Sequence, residues 1–125
     1  MGIIGDFLSN ASEINVADLE KNLAGILIDG EQIEKAYRVL RDLFVFTNLR
    51  VILVDRQGLT GQKVEYHSIP YRCITQFAVE TAGTFDDDAE LKIWISRVDL
   101  PITKEFRRGT DIVGIQKTLA KYVLR

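Results

Sequence analysis

The stretch Phe44–Ile74, FVFTNLRVILVDRQGLTGQKVEYHSIPYRCI, decides the fold. With Leu43 it opens on two apolar runs, Leu43-Phe44-Val45-Phe46 and Val51-Ile52-Leu53-Val54, whose aromatic and β-branched residues suit strands. Thr47-Asn48-Leu49-Arg50 separates them as a hairpin turn, with Asn48 able to take a left-handed conformation. Gln57-Gly58-Leu59-Thr60-Gly61 reads as a second hairpin loop, its glycines supplying positive φ cheaply. A strand over Lys63–Ser68 follows. Pro70 then removes a ladder donor and pushes Ile69 towards an extended conformation, so a bend precedes the next strand, Arg72–Thr81.

Working outward, the chain before this stretch changes from helical spacing to alternation. Ile3, Ile4, Phe7 and Leu8 share one face of a short helix, whose polar residues Asp6, Ser9 and Asn10 include no cation. That lack disfavours an interfacial membrane anchor. Asn15 caps a second helix, with Asp18 completing a capping box and Val16, Leu19 and Leu23 as its buried stripe. The helix ends near Gly25, and Ile26-Leu27-Ile28 connects it to an Asp29-Gly30 turn. Residues 1–30 therefore read as a helical extension that packs on the sheet or on a partner, and 31–125 as the main domain. From Gln32 a strand places Ile33, Tyr37 and Val39 on one side and Glu34 and Arg38 on the other, turning at Arg41-Asp42.

Downstream, Ala82–Asp88 is an acidic loop. Glu90–Arg97 alternates cleanly, with Leu91, Ile93 and Ile95 inward and Lys92, Trp94 and Ser96 outward. Ile102–Arg107 is a last strand, with Ile102 and Phe106 on one face. A final helix is capped by Thr110 or Asp111, and its stripe is Ile112, Ile115, Leu119, Tyr122 and Val123. Gly114 weakens that helix by about 1 kcal/mol relative to alanine. Seven strands with short connections must pair antiparallel, since parallel crossovers need about a dozen residues or more. The expected fold is mainly β, or α+β counting helices: a seven-stranded antiparallel bent barrel or sandwich capped by a C-terminal helix.

The residues Thr47-Asn48, Arg50, Asp55, Gly58, Gly61, Lys63, Ser68-Ile69-Pro70-Tyr71 and Ile74 resemble the bacterial pleckstrin-homology (PH) domains. Those domains share the superfold of eukaryotic PH domains. The resemblance implies that fold over nearly the whole chain, together with self-assembly that includes ring-like oligomers. It identifies no active site.

At 125 residues with 46% hydrophobic and 27% charged residues, the composition is that of an ordinary globular domain. Such a length buries about two-thirds of the unfolded chain's surface in one core. The net charge of −2 disfavours nucleic acid and anionic membranes as general partners, although a local basic patch is compatible with it. The lone Cys73 rules out an internal disulfide and suits a reducing compartment. The N-terminus lacks a basic signal-peptide region, and Asp6 stands where a myristoylation motif has Ser or Thr. A cytoplasmic protein is expected.

Catalytic chemistry is sparse. His67 is the sole histidine, and its neighbour Ser68 points to the opposite strand face, so the two make no dyad. Cys73 has only Arg72 beside it, also on the opposite face. Asp86-Asp87-Asp88 and Glu90 lack the alternating ligand spacing of a calcium loop and read as solvated charge. Gly58–Lys63 has two residues between its glycines where a nucleotide loop has four. No cofactor, metal or enzyme activity is expected. The eukaryotic relatives imply a phosphoinositide site on the first hairpin, where Lys35, Arg38 and Arg41 stand. That hairpin loop is short and carries Asp42, which disfavours it. The expected function is a non-enzymatic module that self-associates and takes a protein or peptide partner, with Trp94, Phe7 and Leu8 as interface candidates. Lipid-headgroup binding is the alternative.

Overall fold

A computed structural model describes residues 16–39, 42–57, 63–84 and 87–125. The elements are α1 (Val16–Leu23), β1 (Ile33–Val39), β2 (Asp42–Thr47), β3 (Arg50–Gln57), β4 (Lys63–Pro70), a 3-10 turn (Tyr71–Cys73), β5 (Ile74–Thr81), β6 (Ala89–Ile95), β7 (Ile102–Phe106) and α2 (Ile112–Val123). The strands fall into two sheets in sequence order, β1-β2-β3-β4 and β5-β6-β7. β1 with β2, β2 with β3, β5 with β6 and β6 with β7 pair antiparallel, as short connections require. The chain divides into two compact units, Met1–Ser68 and Ile69–Arg125. The helix expected around Phe7 and Leu8, the Asn15 cap, Arg41 and the Gly58–Gly61 loop lie outside the described residues. Among the described residues no helix is long and apolar enough to cross a membrane.

In the first unit the two central strands are buried on both faces. On one face Leu19 and Leu23 of α1 close over Ile33, Ala36, Val45, Ile52 and Val54, with Ile26, Leu27, Leu43 and Val64 around them. An isolated eight-residue helix is unstable in water, so burial of this leucine pair is what holds α1. On the other face the register sets Tyr37 against Phe44 and Phe44 against Leu53, with Phe46 against Val51. The Phe44 and Phe46 rings lie 5.0 Å apart, and Tyr37 meets Phe46 edge-on at 6.2 Å. Ile33 was expected to share a face with Tyr37. It does not, because the β1–β2 register shifts between Ile33 and Lys35, and Ile33 joins Ala36 under α1.

In the second unit β6 is buried on one face only. Ala89, Leu91 and Ile93 are buried, while Glu90, Lys92 and Trp94 between them are half-exposed. Ile95, expected inside, is half-buried, at the point where the strand ends. Pro70 produces the expected bend as a 3-10 turn, whose Tyr71 stacks on Tyr122 of α2 with centroids 4.6 Å apart. α2 packs on β5 and this turn through Ile112, Ile115, Leu119 and Tyr122. Asp111 is its N-cap, and the carboxylate accepts from the Gly114 amide at 3.0 Å. A Cβ at position 114 would collide with that carboxylate, which accounts for a glycine in the first turn.

Candidate functional site

The most concentrated polar chemistry in the described residues gathers around Glu31, in the connection between α1 and β1. Its residue is 7% exposed, yet four donors meet its carboxylate. Thr47 Oγ1 donates at 2.7 Å and Arg50 Nε at 2.8 Å to one oxygen. Arg50 Nη2 at 2.9 Å and the Ile28 amide at 3.1 Å donate to the other. This is the two-pronged arginine–carboxylate geometry, roughly twice as strong as a neutral hydrogen bond. Two further guanidinium hydrogens are also used: Nη2 reaches the Ile26 carbonyl at 2.6 Å and Nη1 the Ser68 hydroxyl at 2.9 Å.

The β2–β3 hairpin presents these groups. Thr47 Oγ1 accepts from the Leu49 and Arg50 amides, so the threonine side chain closes the turn. Asn48 is able to take a left-handed conformation but does not use it here. Among the described non-glycine residues only Arg97 has a positive φ. Asn48 instead bridges to the α1–β1 connection, its Oδ1 accepting from the Gln32 amide at 2.8 Å and its Nδ2 donating to the Gly30 carbonyl at 3.1 Å. Four residues of the family pattern, Thr47, Asn48, Arg50 and Ser68, thus meet in one knot. Glu31 at its centre was not singled out from the sequence. Its only sequence signal is an acid immediately before a strand, 19 residues from its arginine.

Burial of the Glu31 carboxyl by itself raises its pKa. The hydrogen bonds from Arg50, Thr47 and the Ile28 amide, together with the Arg50 charge, outweigh that effect and hold it below the ordinary value. A carboxylate so fully satisfied is neither a poised base nor a free ligand. The knot fastens a connection to a hairpin, and its role is architectural.

The residues expected to carry chemistry are dispersed. His67 is exposed on β4, and the Ser68 hydroxyl is taken by Arg50. Cys73 is a half-buried free thiol in the 3-10 turn, where its carbonyl accepts from the Ser96 amide. The acidic loop is not simply solvated. Asp87 pairs with Arg108 Nη2 at 3.2 Å, and Asp88 accepts from the Arg108 amide at 2.6 Å. Among the described residues no group of acids, cysteine and histidine is placed to hold a metal ion. Lys35 and Arg38 stand three positions apart on β1 and so face opposite sides of the sheet. Phe7, Leu8 and Arg41 lie outside the described residues. Trp94 lies half-buried on the face of β6 away from Leu91 and Ile93, opposite Gln76 of β5.

Two antiparallel sheets of four and three strands with a C-terminal helix define a mainly β, PH-like domain. The chain belongs to the bacterial PH domain family, whose profile matches residues 2–123. It is 53% identical over 121 residues to the uncharacterized protein YjqA of Bacillus subtilis (strain 168), covering 96% of this chain and 97% of that one. A crystal structure of a pleckstrin-homology-domain protein from Shewanella loihica PV-4 is similar at 59% identity and a TM-score of 0.82, over 90% of this chain and 96% of that one. A pleckstrin homology domain from Shewanella amazonensis SB2B is similar at 56% identity and a TM-score of 0.81, over 98% of each chain.

Proposed function

We propose that this protein is a non-enzymatic interaction module of the cytoplasm that self-associates and takes a protein or peptide partner. The observation that carries the reading is Trp94. Its strand neighbours on the same face are Gln76 and Ala78 of β5 and Thr103 of β7, all exposed, so a large aromatic stands among small or polar side chains. Tryptophan in that setting is the residue type that dominates interface energies. The dispersion of His67, Ser68 and Cys73, and the engagement of Glu31 and Arg50 with each other, favour binding over catalysis. No comparable observation favours a headgroup site on the first hairpin, where Lys35 and Arg38 diverge.

The test is light scattering coupled to size exclusion on the wild type and on Trp94→Ala. A discrete oligomer that dissociates in the variant supports the reading. A monomer at every concentration for the wild type removes the self-association.

A further inference from the structure

The outward face of the β5-β6-β7 sheet carries more than Trp94. Pairing across the sheet sets Glu80 of β5 opposite Glu90 of β6, and Glu90 opposite Glu105 of β7. Directly opposed residues on neighbouring strands point to the same face, with Cβ atoms about 4.5–5.5 Å apart. Glu90 alternates with the buried Ala89 and Leu91, so the row lies on the face away from the core, which Trp94 shares. One register line across three strands therefore holds three glutamates and no cation.

Like charges placed directly opposite each other destabilise a sheet. Lys92, two residues along β6 on the same face, relieves part of this, its ammonium 3.7 Å from the carboxylates of both Glu80 and Glu90. Among the described residues Glu105, exposed on the edge strand β7, has no ion pair. The paired positions of this face thus set three carboxylates against one ammonium. Arg108 is committed to Asp87 and Asp88, and Arg107 stands past the end of β7. Trp94 lies four residues from Glu90 along β6, about 13 Å at the rise of a strand.

We propose, resting on the interface role given above to Trp94, that this face docks an arginine-rich polypeptide segment. Its guanidinium groups pair with the glutamate row and stack on the Trp94 ring. Charge complementarity selects a cationic occupant, which supplies the counter-charge that the row lacks, at Glu105 above all. Arginine suits both ends of the face, because its planar fork meets a carboxylate through two hydrogen bonds and also stacks on an indole. A lone metal ion would use the carboxylates and leave the ring uncovered. About four extended residues span the distance from the row to the ring.

Trp94 is the only tryptophan of the chain, so its emission reports occupancy of this face directly. The experiment is titration of the full chain with a short oligoarginine peptide at low and high salt, with oligolysine and oligoglutamate as comparisons. The expected result is a change in emission with oligoarginine that salt weakens, a weaker one with oligolysine, and none with oligoglutamate. Glu90→Gln with Glu105→Gln should weaken oligoarginine binding about tenfold. Lys92→Gln should tighten it about threefold, since it removes the one cation of the face. Melting temperatures no lower than that of the wild type verify that the variants fold. No change in emission with oligoarginine at low salt overturns the proposal. So does binding that the double glutamine variant leaves intact, since the arginines would then lie elsewhere. An oligomer that Trp94→Ala dissociates, in a protein that gives no response to oligoarginine, overturns this inference and leaves the self-association standing.

Discussion

Strands β2 and β6 occupy the middle of their respective sheets, yet they live in different solvents. In β2 Phe44, Val45 and Phe46 are all 0% exposed, so neither face meets water. In β6 Leu91 and Ile93 are 1% exposed, while Lys92 and Trp94 beside them reach solvent. The ion pairs follow the same division. Arg50 and Glu31 have side chains 22% and 1% exposed, whereas Arg108 and Asp87 are 77% and 30% exposed. One region has spent its polar chemistry on holding itself together. The other leaves aromatic and charged side chains in contact with water, Trp94 among them.

The contrast breaks first if truncations at the two strands cost the same. Phe44→Ala should destabilise by about 3–5 kcal/mol, since a fully buried ring leaves a cavity. Trp94→Ala should cost well under half of that in the isolated chain, because its ring already meets water. Urea denaturation of both variants measures the difference, and equal losses would mean that Trp94 is core rather than interface. Next in size is Glu31→Ala, which strands four donors, two of them on the Arg50 guanidinium. A loss of about 2–3 kcal/mol is expected, below the range for a fully buried pair because Arg50 can reach water. A loss under about 0.5 kcal/mol, the level of an ordinary exposed pair, would reduce the knot to surface decoration.

The same division explains what the sequence disclosed. A strand buried on both faces is written as an unbroken apolar run, and Phe44–Phe46 and Val51–Val54 can be read directly. A strand with one wet face is written as alternation, and Leu91, Lys92, Ile93 and Trp94 are equally plain. Both signals are local. The register shift after Ile33 is not local, because it is set by what α1 buries, and it moved Ile33 to the other face. The partnership of Glu31 with Arg50 spans 19 residues and belongs to no periodic pattern. The family pattern contained Arg50, Thr47, Asn48 and Ser68 without saying that they touch. Asn48 was assigned to the turn for its tolerance of left-handed backbone, but its amide is used to cross-link two segments. As for Trp94, alternation placed it on the face away from Leu91 and Ile93, where Gln76, Ala78 and Thr103 are exposed and Trp94 itself is half-buried.

Acid sharpens the comparison through the displaced carboxyl of the buried pair. The folded-state pKa of Glu31 is depressed, so its contribution is fully present above the unfolded carboxylate pKa. It is lost as the pH falls through the lower, folded value. The stability difference between the wild type and Glu31→Gln should therefore be constant near neutrality and shrink on the acid side of the ordinary carboxylate range. Urea midpoints of the two proteins across that range provide the measurement. A difference that stays flat into strong acid would show that the carboxylate charge is not what Arg50 and Thr47 hold.

The smallest effects test the helix at the end of the open region. Asp111→Ala removes the cap on the Gly114 amide and should cost about 1 kcal/mol. Gly114→Ala adds helix propensity worth about 1 kcal/mol, but its Cβ must displace the Asp111 carboxylate and forfeit the cap. The two terms offset, and the single variant should stay within about 0.5 kcal/mol of the wild type. With the cap already gone, the alanine has nothing to displace. Gly114→Ala made in the Asp111→Ala background should then recover nearly the full 1 kcal/mol or so of propensity, a coupling that a double-mutant cycle reads directly. Additive effects would mean that the carboxylate finds another acceptor position beside an alanine. Gly114 would then have no role that its contact with Asp111 explains.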